Sequence, residues 1–200
     1  MENTHGIMPE GFFDADKFLP IVERLIRNNA CVTRDDHNRS TFDVVNRRSL
    51  NLSLGIKDGG AWIAGGSLQT SETDGTPPLE AVGYILISGK RLGVKKPSFS
   101  QLLVVRKGDR YGAKIATLLN KDIKSTLSEV HLKYCVNYGE ATSSWYKVAV
   151  EEARLTSFSI LSFNDAPYEV MTFSYAKQIE ITTSDNIIAT FDLTDDSPKS

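Results

Sequence analysis

The chain has 200 residues, 40% hydrophobic and 24% charged, with a formal net charge of −2. That is the make-up of one globular domain able to bury a sizeable core. The near-neutral charge excludes a whole-molecule field aimed at DNA or a membrane surface. No apolar run reaches the roughly 20 residues of a membrane helix, and "MENTHGIMPEG" lacks the basic start and apolar region of a secretory signal. Cys31 and Cys135 stand far apart with no CxxC, so a reduced, cytoplasmic protein is the expectation. The three histidines show no zinc spacing.

In chain order, "DADKFLPIVERLIRNN" predicts a helix, with Phe18, Ile21, Val22, Leu25 and Ile26 on one face, Asp16 as N-cap and Pro20 in the first turn. "DDHNRSTFDVVNRRSLN" predicts a second, weaker helix. "GGAWIAGGSLQ" reads as a short strand and "SETDGTPP" as an exposed turn. "EAVGYILIS" and "SFSQLLVV" read as strands joined in a hairpin by "GKRLGVKKP". Apolar residues at helical spacing (Ile115, Leu118, Leu119, Ile123) predict a helix over residues 111–127. "EVHLKYCVN" alternates as a strand should. "EATSSWYKVAVEEARL" places Ala141, Trp145, Val148 and Ala149 at helical spacing. "TSFSILSF" and "YEVMTFSYA" read as strands, and "KQIEITTSDNIIATFDL" as a terminal hairpin turning at Ser184-Asp185-Asn186. The pattern predicts an α/β (α+β) fold, a twisted, mostly antiparallel sheet flanked by helices. It forms one domain over residues 1–194, with 178–194 as an added hairpin and 195–200 as a disordered tail.

The stretch "SQLLVVRKGDRYGAKIATLL" raises the functional question. Its apolar run stops at Arg106, and the next nine residues hold Arg106, Lys107, Arg110 and Lys114 with Gly108 and Gly112. A helix start offers unpaired N–H groups and partial positive charge, and glycines allow close approach of an anion. The other reading is that Asp109 caps the helix and the basic residues are solvated.

In element order, residues 80–170 resemble the GNAT superfamily of N-acetyltransferases. Its pyrophosphate loop, (Gln/Arg)-x-x-Gly-x-(Gly/Ala), aligns with Arg110-Tyr111-Gly112-Ala113-Lys114-Ile115, where Ala113 and Ile115 depart from the pattern. A second family motif is echoed by Asn137, Ala141, Trp145 and Tyr146 in "NYGEATSSWYK". The resemblance implies acetyl transfer to an amine. Acetyl-CoA would lie along Val104, Val105, Arg106, Gly108, Arg110, Tyr111, Gly112 and Ala113, with Tyr146 as general acid for the departing thiolate. It also implies that the central strands splay after Val104–Val105 to admit the pantetheine arm. No carboxylate in "SFSQLLVV" offers itself as a base; Glu80 and Glu140 flank neighbouring strands. Cys135 and His131 read as structural. The partners expected are acetyl-CoA and an amine acceptor, with no membrane and no nucleic acid, and the oligomeric state is left open, a homodimer among the options. Two other readings stand beside this one. One is a GNAT-fold binding or assembly module without chemistry. The other is a nucleic-acid binder using Lys90, Arg91, Lys95 and Lys96.

Overall fold

A single strand of 23 residues, β9 (Ala141–Phe163), organises the molecule. It belongs to a computed structural model that describes residues 50–66, 74–86, 88–89, 98–122, 124–138, 141–163 and 165–194, together with Pro20. The elements before β9 are β1 (Leu50–Asp58), β2 (Ala61–Trp62), β3 (Leu79–Glu80), β4 (Gly83–Ile85), β5 (Ser88–Gly89), β6 (Ser98–Phe99), β7 (Leu102–Lys107), a short helix α1 (Gly112–Ala116) running into a 3-10 turn (Thr117–Asn120), and β8 (Leu127–Tyr138). After it come β10 (Ala166–Tyr175), β11 (Gln178–Thr183) and β12 (Ile188–Asp192).

All pairings among these strands are antiparallel, in the order β2-β1-β8-β9-β10-β7-β4. One segment closes the sheet on itself. β3 pairs with β1 (Ser53↔Glu80, Leu54↔Leu79), and β4, two residues on, pairs with β7 (Gly83↔Val105). Between them the Ala81 N–H donates to Leu52 O and the Val82 N–H to Val105 O, at 2.9 and 2.8 Å. Residues 79–85 therefore stitch the first barrel strand to the last, and no long edge is left between them.

Period-2 alternation fills the interior. Leu54 and Ile56, Leu102 and Val104, Val130 and Leu132, Met171 and Phe173 all join one core cluster, each at most 1% exposed. Ile115 and Leu118 join that cluster from α1 and the turn after it, sealing the barrel end where β7 finishes. Each such side chain taken from water contributes about 1.5–3 kcal/mol. Leu103 and Val105 point the other way, into a small outer cluster with Val82, Ile85, Leu161, Tyr168 and Val170.

The expected helix-flanked α/β sheet is corrected to a mostly antiparallel β-barrel with one short helix. The largest error is "EATSSWYKVAVEEARL", which is strand from Ala141 onward. Tyr146, Val148 and Val150 recur at i, i+2 and i+4, and Val148 and Val150 are buried. Valine, tyrosine and threonine favour that pleat, so the apparent helical spacing was coincidental. The helix expected over 111–127 stops as a regular helix at Ala116, and the chain turns extended at Lys121 (φ −67°, ψ 141°). No splay follows Val105. Val105↔Val170, Arg106↔Glu169 and Lys107↔Tyr168 pair without a break.

Several expectations agree with the structure. β5 and β6 pair as the hairpin arms (Ser88↔Phe99). β11 and β12 pair as the terminal hairpin, with Asn186 at φ 57° in its turn. β11 also pairs with β9 (Ile181↔Val148), so the hairpin is joined to the barrel wall. Apart from Pro20, which is helical, the first expected helix lies outside the described residues. So do the second, except for its last residues in β1, the basic cluster at 90–96, and the tail 195–200.

Candidate functional site

β7 ends by turning an arginine inward. Alternation puts Leu102, Val104 and Arg106 on the interior face, and Arg106 is 0% exposed. Its Nη1 donates to Glu169 Oε2 at 2.8 Å, across the β7–β10 pair, and its Nη2 lies 2.5 Å from Asp109 Oδ2. Burial is the largest influence on Glu169 and raises its carboxyl above the ordinary range; the Arg106 charge opposes this and the Asp109 charge adds to it. The buried arginine thus faces two carboxylates, although its Nε has no hydrogen-bond partner among the described residues.

Several donors of the turn after it are engaged within the chain. The Gly108 N–H donates to Pro167 O (2.8 Å), and the Tyr111 N–H to Asp109 Oδ1 (2.8 Å). The Gly112 N–H donates to Asp109 O (3.1 Å), and the Ile115 N–H to Tyr111 O (3.1 Å). Gly112 is needed because Glu169 stands where a Cβ would project. Arg110 folds back on its neighbour, donating to Tyr111 Oη at 2.7 Å with its guanidinium 4.9 Å from the ring centre. The residues expected to share one CoA do not share one surface. Val104 is inside the barrel, Val105 is in the outer cluster, Arg106 is buried, and Arg110 and Ala113 are exposed.

Tyr146 lies on β9, directly across from Tyr134 (ring centres 6.5 Å apart), and Tyr84 lies 6.1 Å from Tyr134. Burial pushes the Tyr84 and Tyr134 hydroxyls up, and their tyrosine neighbours add to it. The three rings sit near the end of the barrel away from α1, a placement that sequence spacing could not give once β9 was taken for a helix.

A third cluster lies on the outer face of β8. His131 is 1% exposed, with Nδ1 2.8 Å from Glu129 Oε1 and its ring 4.8 Å from Trp62. Lys147 Nζ reaches the same Glu129 oxygen at 2.8 Å. Burial raises the Glu129 carboxyl, but the hydrogen bonds and charges of His131 and Lys147 outweigh it and hold it at about 2. The alternation of "EVHLKYCVN" shows these residues on one face, but not that Lys147 and Trp62 would meet them there.

Open grooves flank the barrel. One, of about 450 Å³, includes Lys57, Ser128, Glu151, Glu152 and Lys177; there Glu151 is held by Lys177 (2.6 Å) and Gln178 (2.9 Å). Another, of about 400 Å³, lies between α1 and the β9–β10 hairpin, where Ala113, Ala116, Phe158, Ile160 and Pro167 give it a mainly apolar lining. Among the described residues, no three His, Cys, Asp or Glu side chains gather to hold a metal. No helix among them is long and apolar enough to cross a membrane.

No protein-family model matches the chain, and no curated protein matches it. Solved structures do. Hcp1 from the E. coli EAEC 042 pathovar superposes with a TM-score of 0.58 at 17% identity, covering 74% of this chain and 100% of that one. The secreted protein Hcp3 from Pseudomonas aeruginosa gives 0.56 at 12% identity, covering 74% and 100%. A structure described as a type six secretion system protein gives 0.52 at 14% identity, covering 72% and 96%. These likenesses replace the GNAT resemblance, and with it the acyltransferase activity, the acetyl-CoA donor and the amine acceptor. The physical reason is already in the geometry: the Gly108, Tyr111 and Gly112 N–H groups donate within the chain, Arg106 is buried, and the sheet does not open. At these identities the likeness establishes the fold, and the chain has the fold of the Hcp proteins.

Proposed function

We propose that this chain is a structural component of a type VI secretion-like apparatus, a barrel that assembles with copies of itself into rings or tubes. The observation that carries this reading is the barrel itself. Its interior is filled by Leu54, Val104, Leu132, Phe173 and their neighbours and sealed by Ile115, so the fold serves as a rigid block rather than a container. Two further features support it. The strongest ionic groups, Arg106–Glu169 and Glu129–His131–Lys147, are spent on holding the wall together. The neighbours in fold are described as Hcp proteins and as a type six secretion system protein. Closed homo-oligomers are the usual outcome when one surface of a block fits another. Sedimentation velocity and negative-stain microscopy of the purified chain test the reading. Rings or stacked rings are expected, and a chain that stays monomeric at every concentration would overturn it.

A further inference from the structure

The β11–β12 hairpin ends in a fixed and uncovered tip. The Asn186 N–H donates to Thr183 O (3.0 Å) and the Thr183 N–H to Ile187 O (3.1 Å), so the turn is held by its own backbone. Ser184, Asp185 and Asn186 are exposed, and Ile187 and Ile188 beside them are 65% and 58% exposed. Single exposed apolar side chains are ordinary, but an adjacent pair on a fixed turn marks a surface that a partner covers. Among the described residues Asp185 makes no ion pair.

A second groove beside α1 offers what this tip lacks. It holds about 250 Å³ between the β1–β2 turn and the α1 segment, and Asp58, Trp62, Ile63, Lys114, Leu118 and Lys121 line it. Lys121 is paired with Asp58, which leaves Lys114 as the uncompensated charge of the groove. Lys114 is exposed and, among the described residues, makes no ion pair. Tip and groove thus pair one free carboxylate with one free ammonium, and two isoleucines with an indole. The groove between α1 and the β9–β10 hairpin cannot do the same, because its charged lining residues are the carboxylates Asp109 and Glu169.

A chain cannot make this contact with itself. Thr183 pairs with Tyr146, Tyr146 with Tyr134 and Tyr134 with Leu52, so the tip is level with the start of β1. The groove opens at Asp58, where β1 ends. Six residues separate the two levels, about 20 Å at roughly 3.3 Å each. Four continuously paired strands (β1, β8, β9 and β11) hold them apart.

We infer that the β11–β12 tip of one copy docks into the Lys114 groove of a second copy, with Asp185 against Lys114 and Ile187 and Ile188 against Trp62. This rests on the self-assembly reading above and names the surfaces it uses. The two surfaces differ and lie at opposite ends of β1, so the contact is heterologous and adds copies head to tail.

The test uses two charge reversals at exposed positions, Lys114→Glu and Asp185→Lys, with circular dichroism to verify folding. Each variant alone sets like charges against each other. By sedimentation velocity each should associate about tenfold or more weakly than the wild type. Mixing the two variants in equal amounts restores opposite charges wherever the chains alternate, and association near the wild-type level is expected. If the wild type assembles and either variant alone assembles equally well, the docking is wrong and the assembly reading stands. If both variants are weak alone and stay weak when mixed, the two residues serve different contacts and the docking is again overturned. A wild type that stays monomeric overturns both.

Discussion

The Glu169 carboxylate occupies the space where a side chain on Gly112 would begin, and it is held there by Arg106. A methyl group at position 112 therefore cannot enter without moving the carboxylate off its buried partner. Gly112→Ala combines overpacking, about 1–3 kcal/mol, with a disturbed buried ion pair. A loss of about 2–4 kcal/mol in urea unfolding is expected. Gly108→Ala, facing the ring of Pro167 at 3.1 Å, should cost less.

The same pair predicts a non-additive series. Glu169→Gln leaves Arg106 buried with only Asp109 opposite and should cost about 3–5 kcal/mol. Arg106→Met strands the carboxylates and should cost a similar amount. The double variant Arg106→Met/Glu169→Leu places apolar groups in an apolar wall and should recover most of the loss. A double-mutant cycle by chemical denaturation reads this directly, and additive losses would contradict it.

Glu129 gives a pH window. Its carboxyl is lowered from an ordinary 4.5 to about 2 in the folded chain. A depressed carboxylate contributes stability that is fully present above the unfolded value and is lost as pH falls through the folded one. Wild type should therefore exceed Glu129→Gln in melting temperature at pH 7, and the difference should shrink between about pH 4.5 and pH 2. Thermal melts of the pair across that range measure it, and a constant difference would show that the contribution is not ionic.

Tyr175 donates its buried hydroxyl to Ser100 O at 2.5 Å, tying β10 to the entry of β7. Tyr175→Phe keeps the ring and removes the donor. A loss of about 1–2 kcal/mol is expected, while Tyr175→Ala should cost about 3–5 kcal/mol because the ring's volume goes too.

Acetyl-CoA supplies a direct check on the loop. With the Gly108, Tyr111 and Gly112 N–H groups already donating within the chain, calorimetric titration with acetyl-CoA should show no saturable heat. Arg110→Glu should leave that result and the melting temperature essentially unchanged, since the arginine lies on the surface of Tyr111.

Strand content was legible wherever alternation was clean. "EVHLKYCVN" and "YEVMTFSYA" are read correctly because apolar residues recur at every second position (Val130, Leu132; Met171, Phe173), and the terminal hairpin because Ser184-Asp185-Asn186 supplies its turn. β9 was not legible. Ala141, Trp145, Val148 and Ala149 fit a helical period while Tyr146, Val148 and Val150 fit a strand, and only its three neighbouring strands decide between them. The direction of Arg106 was hidden for a related reason. A cation just after an apolar run looks like the start of a loop, but β7 continues through Lys107 and alternation turns the arginine inward. Its partner Glu169 lies 63 residues away, a separation no local pattern bridges.

The length of β9 has a mechanical consequence. One covalent strand borders β8 and, along its other side, β11 and then β10, so the hairpin and the α1 end hang on the same beam. A pull on the hairpin tip would load the hydrogen bonds of that beam in shear, many at once. The stitch at residues 79–85 has only a few backbone bonds to β1 and β7 and would be loaded separately. Under tension along its axis the barrel should hold along β9 and part at the stitch.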